Sequence, residues 1–255
     1  MCLNLSKSGD FLIFKALKSQ MEKKNIVVLT GAGISAESGI PTFRDANGLW
    51  EGHDVMAVAS IEGWNKNPVL VQEFYNLRRK AASAAQPNAA HLALGQLESA
   101  YQVTIITQNV DLLHERAGST KIIHLHGRLD QSKSSLDDRL IYPIEGDEIK
   151  MGELCEKGSQ LRPNIVWFGE AVPEIERAML HVAKADILII IGTSLQVYPA
   201  AGLREFAPSH CRSFLIDKQI PNSTALGRVQ CFEQAATVAV PNLVTQLLQE
   251  ASDKS

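Results

Sequence analysis

The chain has 255 residues, of which 45% are hydrophobic and 21% are charged, and its formal net charge is -3 at pH 7. This length fits one large α/β domain, or a domain with a smaller insertion, that buries a sizeable core. The charge gives no basic field for DNA or RNA, so no nucleic-acid partner is expected. The longest apolar run, residues 185–192, is too short to cross a bilayer, so no membrane partner is expected either.

The first residues and the cysteines both predict a cytoplasmic protein. Residues 1–20 form a basic segment around a short apolar patch, without a cleavage site of the secretory type, and are interpreted as an N-terminal extension or first helix. The cysteines are scattered and form no C-x-x-C pair, which predicts reduced structural thiols and no bound metal. They are Cys2, Cys155, Cys211 and Cys231.

Apolar runs and helical periodicity alternate along the chain. Strands of a parallel sheet are predicted at residues 26–30, 103–107, 186–192 and 212–217. Helices are predicted at residues 88–100, 173–184, 199–207 and 240–251. This alternation is typical of an α/β, Rossmann-like fold.

Two insertions interrupt this pattern and predict a second, smaller part. The large Rossmann-like part comprises residues 22–47, 88–127 and 164–250. The small module is formed by residues 48–87 and 128–163. A cleft between the two parts is the predicted substrate site.

The first predicted strand ends in a glycine-rich turn. Gly31, Gly33 and Ala36 fit the pattern G-x-G-x-x-A. Such a turn lets the backbone approach a pyrophosphate, and a following helix N-terminus offers free N–H groups and a positive dipole. The pattern fits an ordinary strand–turn–helix joint without a ligand equally well, so other segments must decide whether a dinucleotide binds here.

Polar side chains follow the next predicted strand. Asn109 and Asp111 lie at the sheet edge where ligands of open α/β folds bind, although turn chemistry alone also explains them. His124 and His126 come next, and each is a candidate general base or a structural histidine. Alternation along a strand would put both on one face, so that one packs while the other meets the cleft.

Taken together, five segments resemble the sirtuins in order and spacing, over residues 22–250. They are Thr30–Arg44, Thr107–Asp111, His124–Gly127, Leu161–Glu170 and Gly192–Ala200. Agreement across five motifs overrules the ligand-free interpretation of the glycine turn. The resemblance implies a single sirtuin-type catalytic domain over residues 1–255, with the sirtuin fold, that consumes NAD as a co-substrate.

The resemblance also implies which residues bind NAD. Phe43 would lie near the nicotinamide ribose and Arg44 near the phosphates, while Asn109 and Asp111 would orient the ribose and the carboxamide. Asp217 and Ala236 stand where this chain departs from the usual family pattern. The implied set is Gly31, Ala32, Gly33, Ser35, Glu37, Thr42, Phe43, Arg44, Trp50, Gln108, Asn109, Asp111, Gly192, Thr193, Ser194, Asp217 and Ala236.

The implied reaction is the removal of acyl groups from lysine side chains of proteins or peptides. The substrate would pair as an extended strand with the backbone of residues 166–169. His126, the implied catalytic base, would take a proton from a ribose hydroxyl, and nicotinamide and O-acyl-ADP-ribose would be released. The implied substrate residues are Ala59, Tyr75, Arg78, Val166, Trp167, Phe168, Gly169, Glu170 and Val197.

The chain departs from most sirtuins between the His-Gly and Leu-Arg-Pro motifs. Most members carry two C-x-x-C pairs there, whereas this chain has only Cys155, offset from the expected positions, so no zinc is predicted. Apolar packing is expected to hold the module instead. The candidates are Leu140, Ile141, Ile144, Ile149, Met151 and Leu154.

A second departure concerns the acyl group. Tyr75 and Arg78 stand at i and i+3 of a predicted helix, so they share a face that suits a carboxylate; a solvated surface arginine is the alternative. The Tyr-x-x-Arg pair, the small Ala59 and Thr42 resemble the sirtuins that remove succinyl and malonyl groups. We therefore expect deacetylation together with desuccinylation and demalonylation.

Two other readings use the same nucleotide. A hydride-transferring dehydrogenase needs an acidic residue at the end of its second strand, whereas Glu51 and Asp54 follow a loop. A mono-ADP-ribosyltransferase, or a non-catalytic protein that binds NAD or ADP-ribose, would use the same pocket. Asn109, Asp111 and His126 together argue against pure binding, and ADP-ribosyl transfer stays open.

Overall fold

The computed structural model describes residues 23–42, 49–220 and 228–253. The predicted extension 1–20 and the predicted NAD-binding residues Phe43 and Arg44 lie outside the described residues. Within the described ranges, every helix is too short or too polar to traverse a bilayer.

The described chain alternates strands and helices. The strands are β1 (Asn25–Thr30), β2 (Leu49–Trp50), β3 (His53–Asp54), β4 (Gln102–Thr107), β5 (Ile122–His124), β6 (Gly127–Ser134), β7 (Ile141–Pro143), β8 (Leu161–Ile165), β9 (Ile187–Ile191), β10 (Arg212–Asp217) and β11 (Gln230–Glu233). The α-helices are α1 (Val55–Val58), α2 (Ile61–Lys66), α3 (Pro68–Ala84), α4 (Ala89–Gln96), α5 (Leu113–Arg116), α6 (Ile175–Val182) and α7 (Ala236–Ser252).

A parallel six-stranded sheet, in the order β11-β10-β9-β1-β4-β5, forms the centre of the described structure. β1 is central, with Ile26 opposite Val103 of β4 on one side and Ile187 of β9 on the other. The predicted α/β, Rossmann-like fold is confirmed, and the four predicted strands are β1, β4, β9 and β10. The predicted strand that carries His124 extends as far as His126, whereas β5 ends at His124. The sequence missed β11, which is mostly exposed and forms no long apolar run.

Two helix predictions need correction. Residues Ala200–Phe206 form a 3-10 helix rather than an α-helix. The last helix begins at Ala236, before the predicted start at residue 240, and continues through Pro241. Proline usually marks a first turn, which explains the late predicted start, but Ala236, Ala239 and Val240 are buried against the sheet and hold the preceding turn in place.

The two faces of the sheet are covered by different elements. Ile26 and Val28 of β1 pack with α4 and α7, whereas Val27 and Leu29 pack with α6 and the segment Ala200–Phe206. These four side chains are at most 4% exposed. Burial on both faces explains why β1 reads as a continuous apolar run rather than an alternating one.

A smaller module combines the antiparallel sheet β7-β6-β8 with α1, α2 and α3. Helix α3 begins at Pro68, a favourable first helical residue, and the side chain of Asn67 caps it by accepting from the Leu70 amide. The core of this module is aromatic. It includes Trp64, Phe74, Tyr75 and Trp167.

The apolar packing predicted for the zinc-free region is wrong for several of its residues. Ile149 is buried, but Ile141, Met151 and Leu154 are 46%, 43% and 57% exposed. The chain here runs as short strands and turns that offer little apolar surface for these side chains to cover.

Polar contacts hold this region instead. The Ser134 and Ser159 hydroxyls are 2.7 Å apart, and the Cys155 thiol lies 3.2 Å from the Ser159 hydroxyl. Two amide side chains of α3, Gln72 and Asn76, each donate to the Ile149 carbonyl at 3.0 Å. These bonds fasten the region both to itself and to the module's main helix.

Candidate active site

A cavity of about 790 Å³ lies at the carboxyl edge of the central sheet, where the small module faces it. We call the wall formed by the sheet edge the nucleotide side; the predicted residues on it are Gly31, Ala32, Gly33, Ser35, Thr42, Gln108, Asn109, Asp111, Gly192, Thr193, Ser194, Asp217 and Ala236. We call the opposite wall the acyl side; the predicted substrate residues on it are Ala59, Tyr75, Arg78, Val166, Trp167, Phe168, Gly169, Glu170 and Val197. Trp50, predicted to bind NAD, also lies on this side, under the Arg78 guanidinium. His126 also lines the cavity.

The glycines of the nucleotide side allow two backbone turns to touch. The Gly33 amide donates to the Gly192 carbonyl at 2.9 Å, and the Gly31 amide donates to Ile191 at 3.0 Å. A Cβ on Gly33 would lie 2.6 Å from the Gly192 Cα, closer than real Cβ atoms come to any neighbour. Gly192 itself has φ +61°, a conformation that favours glycine.

The local structure after this turn differs from the prediction. Short 3-10 helices, Ala32–Ile34 and Ala36–Ser38, follow Gly31 in place of the expected α-helix N-terminus. The Gly31 and Gly33 amides are already bonded to the β9 end. Any anion held here would therefore meet other groups than these two amides, and the two short 3-10 helices supply no long helix dipole of their own.

A buried polar network lies behind the glycine turn. The Ser35 hydroxyl donates to Asp111 Oδ2 at 3.1 Å, and the Asn109 side-chain amide donates to the Ser35 hydroxyl at 3.2 Å. The other Asp111 oxygen accepts from the Leu113 amide, so turn chemistry is also present. Burial raises the pKa of Asp111 above its usual value, although its bonds to Leu113 and Ser35 oppose this.

His126 and His124 have different environments. His126 Nδ1 lies 3.2 Å from the Gln108 carbonyl, and burial lowers the pKa of the ring. With Nδ1 donating to that carbonyl, Nε2 is the basic nitrogen of a neutral imidazole. His124 Nε2 instead lies 2.7 Å from Glu115, and His124 does not line the cavity. The expected shared face is wrong because β5 ends at His124, so alternation does not extend to His126.

Sequence reasoning missed a histidine pair beneath the nucleotide side. The rings of His91 and His114 have centroids 5.0 Å apart, and His114 Nε2 lies 3.0 Å from the Thr30 hydroxyl. Burial lowers the pKa of His91 to about 4 and that of His114 well below its usual value. One available signal was Asn88, which with His91 forms the capping box of α4.

Charge and aromatic rings meet on the acyl side. The Arg78 guanidinium lies 4.0 Å above the Trp50 ring and donates to Glu51 Oε1 at 2.8 Å. Arg78 is only 8% exposed, and burial lowers its pKa, although Glu51 opposes this. The Tyr75 hydroxyl accepts from Trp167 Nε1 at 3.0 Å, and burial raises the pKa of Tyr75 well above 10. The alternative of a solvated surface arginine is wrong.

The edge predicted to pair with a peptide is partly in use already. The Val166 amide donates to the backbone carbonyl of His126 and the Phe168 amide donates to the backbone carbonyl of Ala59, at 3.0 and 2.9 Å. The Trp167 amide donates to the Glu170 carboxylate at 2.8 Å. A peptide cannot take these three amides without breaking existing bonds, so pairing with this segment would have to use its other main-chain groups, and the pairing itself stays a prediction.

One predicted NAD-binding residue within the described ranges, Glu37, does not line the cavity. Its carboxylate accepts from the Thr237 hydroxyl at 2.7 Å and lies 3.4 Å from Lys218, outside the pocket. These bonds lower the pKa of Glu37. Glu37 thus ties the glycine turn to α7 and to the end of β10.

No group of three or more His, Cys, Asp or Glu side chains in residues 23–42, 49–220 and 228–253 is arranged to hold a metal ion. The absence of zinc from the protein itself stays a prediction.

Comparison with known proteins identifies relatives of the whole described fold. A family model described as "Sir2 family" matches residues 31–199. An NAD-dependent protein deacylase from Helicobacter pylori (strain ATCC 700392 / 26695) is 55% identical over 90% of this chain and 100% of its own. One from Bacteroides thetaiotaomicron is 51% identical over 88% of this chain and 98% of its own.

Solved structures give the same result. A Sir2 homologue in complex with NAD matches with a TM-score of 0.81 and 38% identity, over 93% of this chain and 94% of its own. A Sir2 complex with the inhibitor EX-527, 2'-O-acetyl-ADP-ribose and deacetylated p53 peptide matches with a TM-score of 0.71 and 30% identity, over 94% and 99% of the two chains.

Proposed function

Because this chain belongs to the Sir2 family, we infer that it is an NAD-dependent protein deacylase. It removes acyl groups from lysine side chains and releases nicotinamide and O-acyl-ADP-ribose. The observation that carries this inference is His126, held through Nδ1 at the Gln108 carbonyl, in one cavity with the buried pair Asn109 and Asp111. We further propose that the protein acts in the cytoplasm, on acyl-lysine proteins or peptides.

The nucleotide side fits NAD. Gly31, Gly33 and Gly192 all line the cavity and carry no side chain, so the backbone itself faces the pocket at these positions. Ser35, Asn109 and Asp111 offer buried polar groups to a ribose or a carboxamide. When bound, NAD supplies the ADP-ribosyl group that the acyl oxygen receives as nicotinamide leaves.

In the proposed mechanism, the residues of the chain position groups and move one proton. Asn109 and Asp111 orient the ribose and the carboxamide of NAD, and Trp167, only 2% exposed, helps exclude water from the acyl side. His126 Nε2 then accepts a proton from a ribose hydroxyl. The peptide lies along residues 166–170 and Val197, and pairs with main-chain groups other than the three amides in use.

We propose that acidic acyl groups, succinyl and malonyl, are substrates as well as acetyl. Arg78 is the supporting residue, because it is buried and lines the same cavity as the small Ala59 and the hydroxyl-bearing Tyr75. A guanidinium positioned over the Trp50 ring at 4.0 Å is well arranged to bind a carboxylate.

The test uses matched acetyl-lysine and succinyl-lysine peptides with NAD, and mass spectrometry of all products. We expect one nicotinamide for each acyl group removed, and free lysine peptide. Arg78→Met should lower succinyl turnover roughly 10- to 100-fold through loss of a charge-assisted hydrogen bond, and acetyl turnover far less. The exposed Arg177→Met is the control. Equal losses on both peptides contradict the acyl assignment, and ADP-ribosylated protein without deacylation contradicts the reaction.

A further inference from the structure

The residue that holds Arg78 in this structure is Glu51. It lies in the two-residue turn between β2 and β3, where Trp50 pairs with His53. Its carboxylate reaches Arg78 at 2.8 Å, and the two side chains are 32% and 7% exposed, respectively. The cation that would bind an acidic acyl group therefore already has a carboxylate partner from the chain itself.

The turn is unusual for a glutamate. Glu51 has φ +50° and Gly52 has φ +83°, so both turn residues are left-handed. Turns of this kind favour asparagine, aspartate or glycine at the first position, because a longer side chain has a steric cost there. The strained backbone puts a long acidic side chain within reach of Arg78.

The pair also has a charge consequence. A buried guanidinium without a partner is costly, so a neutral acyl group such as acetyl is best accommodated while Glu51 stays on Arg78. A second carboxylate arriving at Arg78 would meet the negative charge of Glu51. Because Glu51 is about one-third exposed, it can swing into water when that happens.

We propose that Glu51 determines acyl specificity: its carboxylate occupies Arg78 when the acyl group is absent or neutral, and the terminal carboxylate of an acidic acyl group displaces it. This proposal rests on the proposed action on acidic acyl groups. Glu51 thus acts as a built-in competitor that weakens binding of succinyl-lysine and malonyl-lysine and leaves the guanidinium paired at other times.

The test measures kcat and KM for succinyl- and acetyl-lysine peptides with Glu51→Gln. We expect the KM for the succinyl peptide to fall roughly five- to tenfold, because the competing charge is gone, and the succinyl-to-acetyl ratio of kcat/KM to rise by a similar factor. Glu51→Asn suits the left-handed turn and is too short to reach Arg78, so it should behave in the same way if Glu51→Gln folds poorly. Glu73→Gln, an exposed carboxylate lost from the helix that carries Arg78, is the matched control and should leave the ratio unchanged.

An unchanged or higher succinyl KM in both Glu51 variants overturns the proposal. Arg78→Met in the same assay separates the two ideas. If Arg78→Met abolishes the succinyl activity while the Glu51 variants do not lower KM, the displacement is wrong and the acyl assignment stands. If Arg78→Met leaves succinyl turnover unchanged, both are wrong.

Discussion

The two sides of the cavity differ in how much backbone and how many side chains form them. The nucleotide side is centred on backbone turns in contact, such as Gly33 against Gly192, with the buried polar side chains of Ser35, Asn109 and Asp111 behind them. The acyl side consists of side chains, with Arg78 between an aromatic ring and a carboxylate. Backbone turns in close contact tolerate few substitutions, whereas a surface formed by side chains changes its shape and charge with each substitution.

This difference predicts which changes affect all substrates and which affect one class. Damage to the nucleotide side, or to the base between the two sides, should affect acetyl and succinyl peptides equally. Loss of Arg78 or Glu51 from the acyl side should instead mainly change the ratio between them.

The largest effect is expected for His126→Ala. Loss of a general base typically costs about 10²- to 10⁴-fold in rate, and both acyl peptides should lose activity together. Single-turnover rates measure this, with circular dichroism to check the fold. Normal turnover by this variant would remove His126 from the mechanism, and unequal losses would contradict the shared role of the base.

A smaller but still general effect is expected for Gly33→Ala. The added Cβ would meet the Gly192 backbone at 2.6 Å, so the two turns must separate. We expect a loss of about 1–3 kcal/mol in the free energy of unfolding and a higher KM for NAD with either peptide.

The matched control for Gly33→Ala is Gly202→Ala, whose Cβ would meet only the Tyr198 ring at 3.6 Å, an ordinary contact. Chemical denaturation and NAD titration compare the two variants. If Gly33→Ala behaves like the control, the turns are not in obligatory contact.

The smallest expected effect is a loss of folding stability at acidic pH. His91 has a pKa of about 4 in the folded protein, against 6.5 when unperturbed. Between about pH 4 and 6.5 His91 is protonated in the unfolded chain but not in the folded chain. The free energy of unfolding should therefore fall as pH falls below 6.5. The expected slope is about 1.4 kcal/mol per pH unit for each such histidine.

Urea unfolding at pH 7.5, 6.5 and 5.5 measures this slope. His91→Asn keeps an acceptor for the capping box and should lower the slope by about 1.4 kcal/mol per pH unit, the contribution of one proton. His210→Asn, at an exposed position, is the control and should leave the slope unchanged. If His91→Asn leaves the slope unchanged, the pH dependence of stability comes from protonation of other groups.

The sequence predicted the sheet better than the cavity walls. β1 and β9 are buried on both faces, so each forms a short, continuous apolar run. Such a run, bounded by turn residues, is typical of a buried strand. The segment Ala200–Phe206 was assigned to the wrong helix type because its composition suits either geometry.

The resemblance to sirtuins pointed to His126, Asn109 and Asp111 before any geometry was available. It could not reveal that the Val166 and Phe168 amides are already bonded, since hydrogen-bond partners depend on the folded backbone. Nor could it link Glu51 to Arg78, because the two residues lie on separate elements and meet only through tertiary packing.

The position of β1 also affects how the protein is made. Ile26 and its neighbours pair with β4 on one side, but their other partner, β9, begins only at Ile187. At ribosomal rates this interval lasts on the order of ten seconds or more, during which one apolar strand edge has no partner. Until residue 191 has emerged, that edge is an exposed template on which another chain could pair.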